Sequence, residues 1–212
     1  MSIITWLVDL FFHSDKVISS IVQTYGSYTY LFLFFFVFME TGFVLTPFFP
    51  GDSLIFISGV FASLGIFNII FLFLLFCTAA IVGDSVNYAI GYYFGEKVFE
   101  KLVSKNNIEK TKDFFAHHGK RAIILARFAP IIRTFAPFVA GIGKMNYKDF
   151  FVYNVAGGIT WVTIFLFSGY YFGALPFVKN NLSIIVILIV FASLIPIFLE
   201  YIKGRKNTEK KN

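Results

Sequence analysis

The sequence predicts an all-α polytopic membrane protein: an inverted repeat with two re-entrant, broken helix hairpins, about four full spans and an N-terminal interfacial helix. Three observations carry this expectation. Of 212 residues, 58% are hydrophobic and 14% charged, and runs of about 20 apolar residues read as bilayer spans. Two apolar stretches are cut by prolines and hold charged residues, which a plain lipid-facing anchor does not explain. The two halves of the chain also echo each other. Pro50 leads through Gly59 to Gly91-Tyr92-Tyr93-Phe94-Gly95, and Pro130 leads through Gly141 to Gly169-Tyr170-Tyr171-Phe172-Gly173.

Taken in order, residues 1–24 read as an amphipathic helix lying in the membrane interface, with Trp6, Leu7, Leu10 and Phe11 against Asp9, Asp15 and Lys16. The start lacks the basic region and small-residue cleavage site of a signal peptide. The membrane domain is expected over 25–202. A first span runs from about Tyr28 to Leu45 and carries Glu40. Two prolines and a glycine follow in Thr46-Pro47-Phe48-Phe49-Pro50-Gly51-Asp52-Ser53, where a helix cannot continue. Leu54 to Leu64 is too short to cross alone, so a re-entrant segment is placed at about 46–65.

A second span covers roughly Ile69 to Phe94 and contains Gly83-Asp84-Ser85. Glu96 to Lys120 is polar and periodic, a surface helix. Ile123 to Ile142, interrupted by Pro130 and Pro137, gives the second re-entrant segment at about 121–143. Spans at Phe150 to Phe172 and Leu182 to Tyr201 precede a basic tail over 203–212.

The net charge is +6. Lys97, Lys101, Lys105, Lys110, Lys112, Lys120 and Arg121 crowd one loop, and Lys203, Arg205, Lys206, Lys210 and Lys211 crowd the tail. Counting the broken segments as dips puts both clusters on one face, as the positive-inside rule asks of cytoplasmic segments, with both termini inside. This distribution argues against nucleic acid as the partner. The single cysteine, Cys77, lies in an apolar run and offers no disulfide framework.

The ionisable residues at membrane depth are Glu40, Asp52, Asp84, Arg127 and Arg133. Such residues are functional candidates, with partners among themselves. Arginine cannot shed its proton, so Arg127 and Arg133 suit an anionic phosphate head group, which guanidinium grips with two donors. Glu40 and Asp52 can carry a coupling proton or gate the cavity. Static ion pairs locking the two broken segments together are the alternative reading. Asp84 either lines the cavity or supports the broken segment's backbone with Ser85 and Asn87. Pro50, Gly51, Pro130 and Pro137 serve the breaks, and Gly51, Gly141 and Gly143 serve close packing.

Enzyme chemistry finds little support. Lys120 and Arg127 have the spacing that opens a lipid-phosphatase motif, but Phe128 stands where that motif has proline, and His13, His117 and His118 do not complete it. No metal-binding, Walker or Rossmann pattern is present, so no cofactor is expected.

Four stretches together resemble the bacterial DedA family, within the SNARE-associated (VTT-domain) superfamily. They are Met39-Glu40-Thr41-Gly42, Pro47-Phe48-Phe49-Pro50-Gly51-Asp52-Ser53-Leu54, Val82-Gly83-Asp84-Ser85-Val86-Asn87-Tyr88, and the run from Ala126 through Arg127, Pro130, Arg133 and Pro137 to Gly141. The resemblance implies an inner-membrane protein with two facing re-entrant hairpins. It also implies lipid movement across the bilayer, with undecaprenyl phosphate or a phospholipid as cargo, and roles in proton-motive force and envelope integrity. The family's essential acidic and arginine pairs fall on Glu40, Asp52, Arg127 and Arg133.

The leading expectation is therefore a flippase for a phosphate-bearing lipid, coupled to protons. Membrane lipids and protons are its partners, and homo-oligomerisation stays open. Two other classes also remain open: a proton-coupled antiporter for small cations or drugs, and a structural protein of a division or envelope complex.

Overall fold

The computed structural model describes residues 26–43, 51–102 and 105–180. The interfacial helix expected over 1–24, the break at Pro47 to Pro50, the span expected at Leu182 to Tyr201 and the basic tail lie outside the described residues. Within them, all regular structure is helical: α1 (Ser27–Gly42), α2 (Gly51–Ser63), α3 (Ile69–Leu102), α4 (Lys105–His118), a 3-10 turn (Gly119–Arg121), α5 (Ala122–Ala126), α6 (Pro130–Ile142), α7 (Tyr147–Gly173) and α8 (Pro176–Asn180).

Length sorts these helices into two kinds. The apolar segments Ile69–Gly95 of α3 and Tyr147–Gly173 of α7 have 27 residues each. At a rise of about 1.5 Å per residue they exceed the roughly 30 Å hydrocarbon core. By contrast, α2 and α6 are apolar but only 13 residues long, about 20 Å and too short to cross.

Several boundaries differ from the sequence expectation. Helix α1 stops at Gly42, with Phe43 extended (φ −120°, ψ 125°), rather than running to Leu45. Helix α3 continues past Phe94 to Leu102, and the polar stretch expected as one helix is shared among the end of α3, α4 and the 3-10 turn. Gly119, at φ +56°, turns the chain there. The second broken segment breaks ahead of its prolines, between α5 and α6. Pro130 takes the first turn of α6, where its missing N–H is no loss. Pro137 sits inside α6 without ending it, in a helix packed along α3 and against α4. Tertiary contacts there outweigh the local propensity.

The packing is crossed. Short helix α2 lies along α7, and short helix α6 lies along α3. Glycines allow both approaches. A Cβ added at Gly59 would strike the Leu166 carbonyl, and one at Gly169 would strike that of Phe56. At the other junction, Gly91 faces the Phe138 carbonyl and Gly141 faces that of Tyr88. Gly91 and Gly169 occupy matching positions, each opening a Gly-Tyr-Tyr-Phe-Gly stretch.

The ends of the short helices match as well. Gly65 N–H reaches Ala62 O and Ile66 N–H reaches Phe61 O, both at 3.1 Å, closing α2 in a Schellman motif around Gly65 at φ +78°. Helix α6 closes the same way, with Lys144 N–H to Gly141 O at 2.9 Å and Met145 N–H to Ala140 O at 3.0 Å. An asparagine then caps each long helix: Asn68 accepts from Phe71 N–H at 3.0 Å, and Asn146 from Lys148 N–H at 2.9 Å. The main apolar core, including Ile55, Leu72, Phe76, Val162 and Leu166, lies among α1, α2, α3 and α7.

Candidate functional site

Arg133 stands in the first turn of α6, and Asp52 is the second residue of α2. Their side chains join the two short helices at their N-terminal ends, Arg133 Nη1 donating to Asp52 Oδ1 at 2.5 Å. The other guanidinium nitrogen, Nη2, donates to Glu40 Oε1 near the end of α1. Glu40 also accepts from the Gly51 backbone N–H at 3.2 Å. A Cβ at Gly51 would displace that carboxylate from its place against the backbone. The Glu40 side chain is 1% exposed and Arg133 8%, whereas Asp52 is 37% exposed. This centre is thus closed on one side and open at Asp52.

Arg127 belongs to a separate cluster. It follows α5 and donates through Nη2 to Asp84 Oδ2 at 2.5 Å and to Asn154 Oδ1 at 2.6 Å. Asn154 in turn donates to Ile81 O at 3.0 Å and to Ser85 Oγ at 3.4 Å. The long α7 makes room for the guanidinium at Gly157 and Gly158. A Cβ at Gly157 would sit 3.1 Å from Arg127 Cδ and Nε. Arg127 and Asp84 are both buried.

Trp161 of α7 links the clusters. Its indole N–H donates to Asp52 Oδ1 at 2.9 Å. Both guanidinium groups face its ring, Arg133 with its Cζ 5.2 Å and Arg127 with its Cζ 5.8 Å from the centroid. Asn87, fully buried, donates to Thr41 O at 3.1 Å and to Thr134 O at 2.9 Å. It ties the end of α1 to α6 and so holds Glu40 and Arg133 in register.

The five ionisable residues singled out in the sequence therefore hydrogen-bond in two groups, Glu40–Arg133–Asp52 and Asp84–Arg127, both bordering Trp161. Pro130 begins α6 three residues before Arg133, while Pro50 lies outside the described residues. Trp161 and Asn154 were not anticipated, and Asn87 was named only as a support beside Asp84, whereas it bonds the Thr41 and Thr134 carbonyls. The available signal was polarity at the wrong depth: asparagines inside apolar spans, and a tryptophan away from the interface where that residue is usual. Among the described residues, no group of three or more His, Cys, Asp or Glu side chains is placed to hold a metal ion.

These features define a helical membrane protein with a buried arginine–carboxylate centre between crossed short helices. Residues 49–171 match the VTT domain. The chain is similar to Protein DedA of Escherichia coli (strain K12), 45% identical over 212 residues and 97% of each chain. It is also similar to the uncharacterized membrane protein Rv0364 of Mycobacterium tuberculosis (strain ATCC 25618 / H37Rv), 39% identical over 166 residues, 76% of this chain and 73% of that one. Inner membrane protein YghB of Escherichia coli (strain K12) is 29% identical over 160 residues, 73% of each chain. No solved structure matches. The chain belongs to the DedA family of VTT-domain membrane proteins.

Proposed function

We propose that this protein moves a phosphate-bearing lipid, undecaprenyl phosphate or a phospholipid, across the bacterial inner membrane, with proton uptake at Glu40 or Asp52 releasing Arg133 for the head group. One observation carries the reading: Arg133 is shared between two carboxylates at the point where two helix N-termini meet. Helix N-termini and a guanidinium favour an anion there. The carboxylates occupy that place in its absence. Arginine stays charged, so only a carboxylate can take the proton that breaks the pair. A lipid phosphate can then replace the protonated acid as the partner of Arg133, its tails staying in the bilayer.

Further features support the reading. Arg127 Nε and Nη1 and Arg133 Nε are buried and find no acceptor among the described residues, so donors remain for an oxyanion. The crossed packing and matched glycines support an inverted repeat with α2 and α6 as re-entrant segments, the arrangement in which transporters place a site near the midplane. Relatives named as inner membrane proteins support that location, and the basic clusters of the sequence favour cytoplasmic termini. A second reading, a proton-coupled antiporter for small cations, draws on the three carboxylates facing two arginines; there the acids bind the cargo.

The test is head-group translocation in proteoliposomes, comparing undecaprenyl phosphate with phosphatidylethanolamine, with and without a pH gradient. Wild type and the Arg127→Ala/Arg133→Ala protein run side by side. Arginine-dependent movement of one lipid supports the proposal, and gradient dependence places the proton on the carboxylates. Failure of folded wild type to move either lipid rejects it for those lipids and directs attention to cation exchange.

A further inference from the structure

A polar cavity lies beside, but outside, the buried arginine clusters. It measures about 600 Å³ and opens between α3 and the turn joining α6 to α7, where Ser85, Tyr88, Tyr92, Tyr93, Lys144 and Tyr147 line it. Tyr88 is buried and committed, its hydroxyl donating to Met145 O and its ring stacked on Tyr92 and Phe150. Tyr92, Tyr93 and Tyr147 are exposed, at 44%, 75% and 48%, as suits an aromatic belt at the water–lipid boundary.

Lys144 is the unexpected residue. It holds the left-handed position of a Schellman motif at φ +50°. Glycine fills that position without strain, and Gly65 does so at the matching end of α2. A lysine there carries a backbone penalty of about 1–2 kcal/mol that glycine would avoid. Among the described residues, Lys144 has no ion-pair partner. The neighbouring carboxylate, Asp149, is taken by Lys120 at 2.5 Å. The turn thus presents an uncompensated cation beside a cage of tyrosine rings and hydroxyls.

We infer that this cavity binds the phosphate-bearing head group of a lipid in the adjacent leaflet, with Lys144 as the ligand of the anion. Ring faces and apolar walls pack the glycerol and upper tail, and exposed tyrosine hydroxyls donate to the phosphate. The cavity's inner wall reaches Ser85. Ser85 Oγ accepts from Asn154, which also bonds Arg127. The cavity therefore lies one side chain away from the buried arginine, and its role as an entry site rests on the transport reading above. Binding itself does not depend on that reading.

Native mass spectrometry of the purified full-length protein in mild detergent tests this with short-chain phosphatidic acid, phosphatidylcholine of the same chains, and inorganic phosphate. Lys144→Gly suits the turn, so the protein should melt no lower than wild type. We expect it to bind phosphatidic acid about tenfold more weakly, the loss of one charge-assisted contact. Lys144→Arg should retain binding. Equal binding by Lys144→Gly and wild type overturns the proposal, as does equal affinity for phosphatidylcholine. Competition by inorganic phosphate as effective as the lipid's own binding overturns the lipid assignment. Lys144-dependent lipid binding by folded wild-type protein that moves neither lipid would sink the transport reading and leave this site standing.

Discussion

Trp161 and Asp52 share a hydrogen bond of 2.9 Å across the junction of α7 and α2, which makes the tryptophan part of the charged centre rather than of the apolar core alone. Its indole N–H and the Arg133 guanidinium converge on the same carboxylate oxygen. The two parts of the side chain should separate by substitution. Trp161→Phe keeps an aromatic face for both arginines and loses the donor. It should fold with a modest drop in melting temperature and translocate severalfold more slowly. Trp161→Ala empties a fully buried site and should lose about 3–5 kcal/mol. Thermal melts in detergent beside the transport assay read both effects. A Trp161→Phe protein with wild-type rates would show that the N–H is dispensable.

Arg127 and Asp84 make a buried pair, and breaking such a pair from one side leaves an uncompensated charge. Arg127→Ala should destabilise by about 3–5 kcal/mol. Removing the acid too, in Arg127→Met/Asp84→Leu, should recover much of that stability without restoring transport. The melting temperatures of the two proteins decide the matter: a double substitution no more stable than the single one would mean that the pair is not the source of the loss.

Arg133 is different, because it has to meet two carboxylates at once. A lysine has the charge but not the fork. Arg133→Lys should stay folded and lower translocation of a phosphate lipid by about tenfold or more, the loss of one charge-assisted contact. Near-normal rates would favour the antiporter reading, in which arginine acts only as a charge.

The crossed packing gives a prediction about backbone proximity. A Cβ at Gly91 or Gly169 would meet the carbonyl of the facing helix, and backbone yields less readily than a side chain. Gly91→Ala and Gly169→Ala should each destabilise by about 1–3 kcal/mol through overpacking. Gly119→Ala provides the contrast. Nothing lies within 4 Å of its added Cβ, so only the strain of its φ of +56° is introduced. If the three variants melted alike, helix contact would not be what selects glycine at positions 91 and 169.

Much of this architecture was legible because membrane chains are under a severe constraint. Charges and prolines in apolar runs stand out, so Glu40, Asp52, Asp84, Arg127, Arg133 and the two short helices were visible from residue type alone. Gly141 was read as a close-packing residue, and the Gly-Tyr-Tyr-Phe-Gly echo contains two further contact glycines, Gly91 and Gly169. Pairing was not legible. Nothing local says that Arg127 meets Asp84 while Arg133 takes both Glu40 and Asp52, since sequence separations of 43, 81 and 93 residues are closed only by the helix packing. Helix ends were misplaced for a related reason. Pro137 reads as a breaker, but contacts with α3 and α4 keep α6 continuous. Lys144 gave no signal at all, because its left-handed backbone appears only once the turn is built.

The exchange of short helices between the halves has a consequence for how the chain comes into being. Helix α2 finds its groove on α7 and α6 finds its groove on α3, so each half lacks the main surface against which its own short helix rests. During synthesis α2 must wait for α7, more than eighty residues later, before its apolar sides are covered. A chain severed between α3 and α4 should yield two fragments that are each degraded when made alone, yet recover a stable protein when made together.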